Sequence, residues 1–197
     1  MSAPTRSRTQ EGFDVAVDVA GEKIHWDLSA SLSYQTYLDL DRLLGAQHPR
    51  SQSHEEMLFI VIHQATELWM KLSLHELRAV LAGLRADDLD PAFKKLARLS
   101  RIQAQLIQSW DVLSTLTPAD YSQFRSALGT GSGFQSHQYR MLEMLLGNKN
   151  AAMIEVHRHH PALHEELKRT LAEPSLYDEA LRLAARRGFA LPATVLD

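Results

Sequence analysis

The sequence predicts an all-α protein, a bundle of long antiparallel helices. Three observations carry that expectation. Apolar residues recur at spacings of three and four along most of the chain, glycines and prolines fall where helices should stop and start, and only one short stretch alternates like a strand.

Taken in order, residues 1–32 read as an N-terminal extension. Within it Phe13, Val15, Val17 and Val19 alternate with other residues, and Gly21 can turn the chain toward Lys23-Ile24-His25-Trp26, a short hairpin. Residues 33–197 read as one helical domain. Tyr34, Tyr37, Leu38, Leu40, Leu43 and Leu44 share a helical stripe that Gly45 closes. Ser53-His54-Glu55-Glu56 has the serine-to-glutamate spacing of a capping box, and the apolar positions after it run to about Leu84, a helix of some thirty residues. Asp90-Pro91 starts the next, with Asp90 as cap and Leu96, Leu99, Ile102, Leu106, Trp110 and Leu113 on its face. Thr117-Pro118 repeats the start signal for a short helix ending at Leu128-Gly129. A helix from about Phe134 to Leu146 stops at Gly147. Shorter ones follow, with Pro161 and Pro174 near their starts and Gly188 after Arg187 as an end signal.

Composition narrows the function. With 197 residues, 45% hydrophobic and 23% charged, the chain has the make-up of an ordinary globular domain. No apolar run approaches the ~18 residues of a membrane span, and the N-terminus lacks the apolar core of a signal peptide, so a cytoplasmic protein without a membrane partner is expected. The absence of cysteine excludes disulfides, thiolate catalysis and cysteine-held metals. A net charge of −3 without a Lys/Arg block argues against a nucleic-acid partner.

The chemistry concentrates in two segments. His63 follows Phe59-Ile60-Val61-Ile62 in an apolar helical run, and a histidine there needs a hydrogen-bond partner or a chemical role. Phe59, His63 and Glu67 are spaced by four and share a face, able to hold a planar ligand against a ring and present an imidazole to its polar edge. About sixty residues on, Tyr121 and Arg125 are again four apart on a helix capped by Thr117. A guanidinium suits a two-pronged grip on a carboxylate, and a tyrosine hydroxyl adds a third donor. An apolar slot, an imidazole and a carboxylate clamp are what an aromatic amino acid requires.

Other motifs read as structural. Gly129-Thr130-Gly131-Ser132-Gly133 has no lysine after it and no strand before it, so it is a loop and not a phosphate cradle. The histidines of 157–164 lack the cysteine or fixed carboxylate that would complete a metal set, and no metal site is expected from them. His75 reads as structural, and His137 follows directly on the Ser132-Gly133 loop.

Across residues 33–192 the chain resembles the haem-dependent tryptophan 2,3-dioxygenases. The likeness is densest around residues 57–68, 110–125 and 133–150, where Ser132-Gly133-Phe134-Gln135-Ser136 and Leu146-Gly147-Asn148-Lys149-Asn150 match the family's pattern. The resemblance implies an all-α homotetramer that uses ferrous haem b and O2 to cleave the indole C2–C3 bond of L-tryptophan, giving N-formylkynurenine. It places His63 as the distal histidine, the catalytic residue that bonds the indole N–H, and Phe59 as the ring that packs the indole over the haem. Ile60, Val61 and Ile62, between them, count with the substrate-binding wall. Tyr121 and Arg125 fall on the carboxylate binders, Leu128, Ser132 and Gly133 on the loop that closes over haem and substrate, and Trp110 beside the porphyrin. Tyr34, Tyr37 and Leu38 match a helix that reaches into the neighbouring subunit's site. In the family the proximal histidine lies in an Arg-Phe-Arg-His-like helix that this sequence, ending at Asp197, does not contain. The expectation is therefore a piece of a longer dioxygenase, ahead of a missing half supplied by another polypeptide or a non-catalytic helical module that binds an indole.

Overall fold

A computed structural model describes residues 33–192. The chain forms two compact units, Met1–Ala46 and Gln47–Asp197. All regular structure among the described residues is helical, as the periodicity predicts. The expected hairpin of residues 13–26 lies outside the described residues.

In the first unit the expected single helix is two, α1 (Tyr34–Tyr37) and α2 (Leu40–Leu44). Ser33 caps α1 reciprocally with Thr36: Ser33 Oγ accepts from the Thr36 amide at 3.2 Å, and Thr36 Oγ1 accepts from the Ser33 amide at 3.0 Å. The chain then breaks at Asp39, which takes the left-handed conformation with φ 50°. An aspartate tolerates that region better than most side chains, and hydrophobic spacing does not register it.

The second unit is built on α3 (Glu55–Arg85) and α4 (Leu89–Leu113), which pack against each other along their lengths. Three residues join them, so they run antiparallel. The close crossing at this turn depends on Gly83: a Cβ there would lie 2.9 Å from Ala92 Cβ and 3.1 Å from the Asp88 carbonyl oxygen. After α4 come α5 (Pro118–Phe124), α6 (His137–Leu146), α7 (Pro161–Ala172) and α8 (Leu176–Arg186). Short 3-10 segments at Arg125–Leu128, Gly133–Gln135 and Ala151–His157 link them. The core is one apolar cluster: Met70, Leu74, Leu77 and Leu81 of α3 meet Leu99 of α4, Met141, Leu142, Met144 and Leu145 of α6, Ile154 of the 151–157 segment and Leu167 of α7.

Three starts differ from expectation: where a helix from about Phe134 was expected, a 3-10 turn at Gly133–Gln135 comes first and α6 begins at His137 on its Ser136 cap. Glu56 does not reach back to cap α3. Its carboxylate, 1% exposed, accepts from the amides of Arg50 at 2.8 Å and Ser51 at 2.7 Å and from the Ser51 hydroxyl at 2.5 Å. The Ser51 hydroxyl above all holds this carboxyl below the usual glutamate range. Glutamate's longer side chain finds more donors in the preceding turn than at the helix end. α4 likewise begins at Leu89, one residue before the expected Asp90 cap. Thr117 and Asp120, by contrast, form the reciprocal cap that starts α5.

The 146–150 motif is a corner. Gly147 ends α6 with φ 122°, a backbone that favours glycine. Asn150 caps the next segment through Oδ1 to the Ala152 amide at 3.1 Å. Lys149 donates to the Leu171 carbonyl at 2.7 Å and to the Glu173 carbonyl, closing the C-terminus of α7. Burial pushes its pKa down. α8 is tied to the end of α3 by Glu179, 1% exposed, between Arg85 and Arg182 at 2.9 Å each. No helix among the described residues is long and apolar enough to cross a membrane.

Candidate functional site

A cavity of about 580 Å³ opens where the first half of α3 meets the 128–137 segment. Phe59, His63 and Glu67 form one wall, one turn apart as the sequence predicts, and Leu128, Gly131, Ser132, Gly133, Gln135, Ser136 and His137 form the other. The first wall is aromatic. The second is nearly bare backbone around Gly131 and Gly133, and a Cβ built on Gly133 would meet no heavy atom within 4 Å.

The Phe59 and His63 rings stack with centroids 4.1 Å apart and an angle of 35°. His63 Nδ1 lies 2.7 Å from the Phe59 carbonyl oxygen. A carbonyl only accepts, so Nδ1 carries the hydrogen, and in the neutral ring Nε2 is left as the acceptor. The helix thereby sets the tautomer without any other side chain. One turn on, Glu67 accepts from Gln138 Nε2 of α6 through its carboxylate at 2.7 Å and its backbone oxygen at 3.0 Å. That bridge ties the two walls together.

The position of Phe59 depends on α5. Tyr121 and Phe124 present a right-angled ring pair, 5.4 Å apart at 88°, and both contact Phe59, at 5.9 and 5.5 Å. Phe124 is wholly buried and anchors this triad. The sequence reading passes over it, although its spacing of three from Tyr121 places both on one face.

The remaining expected residues are distributed as follows. Arg125 ends α5 exposed, its guanidinium donating from Nη1 to the Gly129 carbonyl at 2.9 Å, and neither it nor Tyr121 lines the cavity. Ile60, Val61 and Ile62 lie at successive positions of α3, about 100° apart around the helix, and none lines the cavity; Val61 is exposed. Trp110, on the last turn of α4, is 62% exposed and also stands outside the lining. Tyr34, Tyr37 and Leu38, in the first unit, are exposed. Gly131, Gln135, Ser136 and His137 complete the wall beside Leu128, Ser132 and Gly133, which were the residues expected from that loop.

A second, smaller cleft of about 330 Å³ lies further along α3, with Lys71, His75 and Arg78 facing Glu166, and it shares His137 with the first. Among the described residues no group of three or more His, Asp or Glu is disposed to hold a metal ion.

The described residues thus form an all-α scaffold whose cavity has an imidazole and an aromatic ring on one wall and a glycine-rich segment on the other. The model of the tryptophan 2,3-dioxygenase family matches residues 20–191, and the chain belongs to that family. It is 54% identical over 195 residues to proteins named tryptophan 2,3-dioxygenase from Burkholderia pseudomallei (strain 668) and Burkholderia mallei (strain SAVP1). Those matches take in 99% of this chain and 64% of each relative, so the chain spans somewhat less than two thirds of their length.

Proposed function

We propose that this chain forms the distal, substrate-binding part of a dioxygenase that cleaves the indole C2–C3 bond of L-tryptophan with O2, giving N-formyl-L-kynurenine in the cytoplasm. The observation that carries the reading is the fixed His63 tautomer beside a stacked ring. An acceptor nitrogen at the edge of an aromatic slot matches the single N–H donor of an indole.

The cofactor in this reading is haem b. The cavity suits a planar macrocycle: its loop wall carries no side chain at Gly131 or Gly133, and space faces Gly133. Ser132, Gly133 and Phe59 would border the group, whereas Trp110, expected beside it, stands outside the cavity lining. When bound, the haem supplies the oxygen chemistry, which no protein side chain can provide. The chain's own contribution is orientation. His63 accepts the indole N–H and aligns the ring. It need not remove that proton, since an indole N–H is far too weak an acid for an imidazole to deprotonate at low cost. Phe59 packs the indole face, backed by Phe124, and Leu128 covers it.

A carboxylate can be gripped by the Nε–H and Nη2–H edge of Arg125 while Nη1 keeps its bond to the Gly129 carbonyl, which would hold the guanidinium plane in place. Tyr121, with its ring on Phe59, stands at the same end of the aromatic triad. Tyr34 and Tyr37, 76% and 71% exposed, are suited to complete the site of a neighbouring subunit in a homotetramer.

Adding haem b and then L-tryptophan to the purified protein tests the reading. A Soret band that shifts with tryptophan supports the enzyme, and tryptophan binding without a Soret response supports a non-catalytic indole-binding module.

A further inference from the structure

Where α6, the 151–157 segment and α7 meet, four histidines and an arginine share one corner that the proposed reaction does not use. His157, the last residue of the 3-10 segment, is only 4% exposed, and its Nε2 has no hydrogen-bond partner. Its ring meets that of His137, the first residue of α6, at 6.4 Å and 79°. Arg140 faces it from α6 with its own charge committed to Glu143 at 2.5 Å. His160, the cap of α7, and His164 on its first turn act on it through their charge, with His164 Nε2 3.5 Å from Glu155. Arg158 and Glu155 flank it on its own segment. Burial first, and then the like charges of His137, His160, Arg140 and His164, push its pKa below the ordinary 6.5.

Such a ring packs well only when neutral. A proton on it would place a cation in a buried corner among groups of its own sign, without a carboxylate of its own. In the opened chain the same ring binds a proton freely. The sign follows: closure is favoured above the ordinary imidazole range and weakens as pH falls below it, by at most about tenfold per pH unit for one histidine.

We propose that this corner is an acid-triggered latch: proton uptake by His157 releases residues 151–164 from α6 and frees His137 from its place in the cavity wall. His137 lines both the 580 Å³ cavity and the 330 Å³ cleft, so opening the latch alters both. The latch is a local device. Of residues 151–164, Ile154 is the one that belongs to the apolar cluster holding Leu77 and Leu81.

Amide hydrogen exchange on the whole chain, corrected for intrinsic rates, at about pH 7.5, 6.5 and 5.5 tests the latch, with His157→Gln beside the wild type. In the wild type, opening of residues 151–164 should rise below pH ~6.5, by up to about tenfold per unit, while residues 77–81 stay level. In the variant that rise should vanish. Protection at 151–164 that follows residues 77–81 at every pH, or an equal rise in the variant, overturns the proposal. If the variant does not fold, an NMR titration of the wild-type ring decides: His157 protonating below the ordinary range supports the latch, and protonation at or above it overturns it.

Discussion

Replacing Phe124 with leucine probes how the aromatic wall of the cavity is held. Phe124 is 0% exposed and stands edge-on to Phe59 at 5.5 Å and to Tyr121 at 5.4 Å. Leucine keeps most of the buried volume and removes both ring contacts, each worth about 0.5–1.5 kcal/mol beyond area burial, so the expected loss is about 1–3 kcal/mol. That is tolerable against the ~5–15 kcal/mol stability of a typical domain, so the variant should fold. With a urea dependence of about 2 kcal/mol per molar, the unfolding midpoint should fall by about 0.5–1.5 M. The sharper measurement is a double-mutant cycle with Phe59→Leu, followed by far-ultraviolet circular dichroism in urea. Either substitution removes the shared contact, so the two losses should fall short of additivity by about 0.5–1.5 kcal/mol. Additivity within about 0.3 kcal/mol would show that Phe124 does not support Phe59, and the account of how the wall is built would fail.

Three further outcomes are expected. Gly83→Ala should lower the thermal midpoint, because its Cβ would meet Ala92 Cβ at 2.9 Å and an overpacking cost of about 1–3 kcal/mol outweighs the ~1 kcal/mol by which alanine is the better helix former; a raised midpoint would contradict the close crossing. Glu179→Gln leaves Arg85 and Arg182 without their shared carboxylate. With those arginine side chains 44% and 54% exposed, the cost should be about 1–3 kcal/mol, below that of a fully buried pair, and a loss under about 0.3 kcal/mol would show that the bridge does not hold α8. Asp178 accepts from the Ser175 hydroxyl and amide, both at 2.7 Å, and the hydroxyl above all holds its carboxyl below the ordinary 3.8. The stability this gives is present above that value and is lost as pH falls through the lowered one. Asp178→Asn should therefore flatten part of the acid limb of a pH–stability curve, and an unchanged limb would refute the assignment.

What the sequence made legible was mostly local. The thirty-one residues of α3, the Thr117 cap and the stop at Gly147 are set by side chains within a few positions of each other, and spacing alone exposes them. The stacking of Phe59 on His63 belongs to the same class, since residues one turn apart on a helix must meet. What escaped depends on the backbone or on distant partners. The break at Asp39 is a left-handed residue inside an uninterrupted apolar pattern. Glu56 bonds the turn before its helix, and nothing in an S-x-x-E spacing distinguishes that from a cap. Phe124 matters only because α5 packs on α3, and Lys149 only because α7 ends beside it, 22 and 24 residues away. Arg125 was legible as a suitable residue, whereas its resting bond to Gly129 was not, because that bond follows from the 3-10 turn after α5.

In the proposed site His63 and Arg125 hold opposite ends of one L-tryptophan. Calorimetric affinities of the wild type, His63→Ala and Arg125→Lys for L-tryptophan, tryptamine and 1-methyl-L-tryptophan test it most directly. The wild type should prefer L-tryptophan over both analogues. Arg125→Lys should lose most of the preference over tryptamine, which lacks the carboxylate, while His63→Ala should lose the preference over the N-methylated analogue, which lacks the donor. Variants that keep the wild-type preferences, or that each lose both together, would contradict the claim.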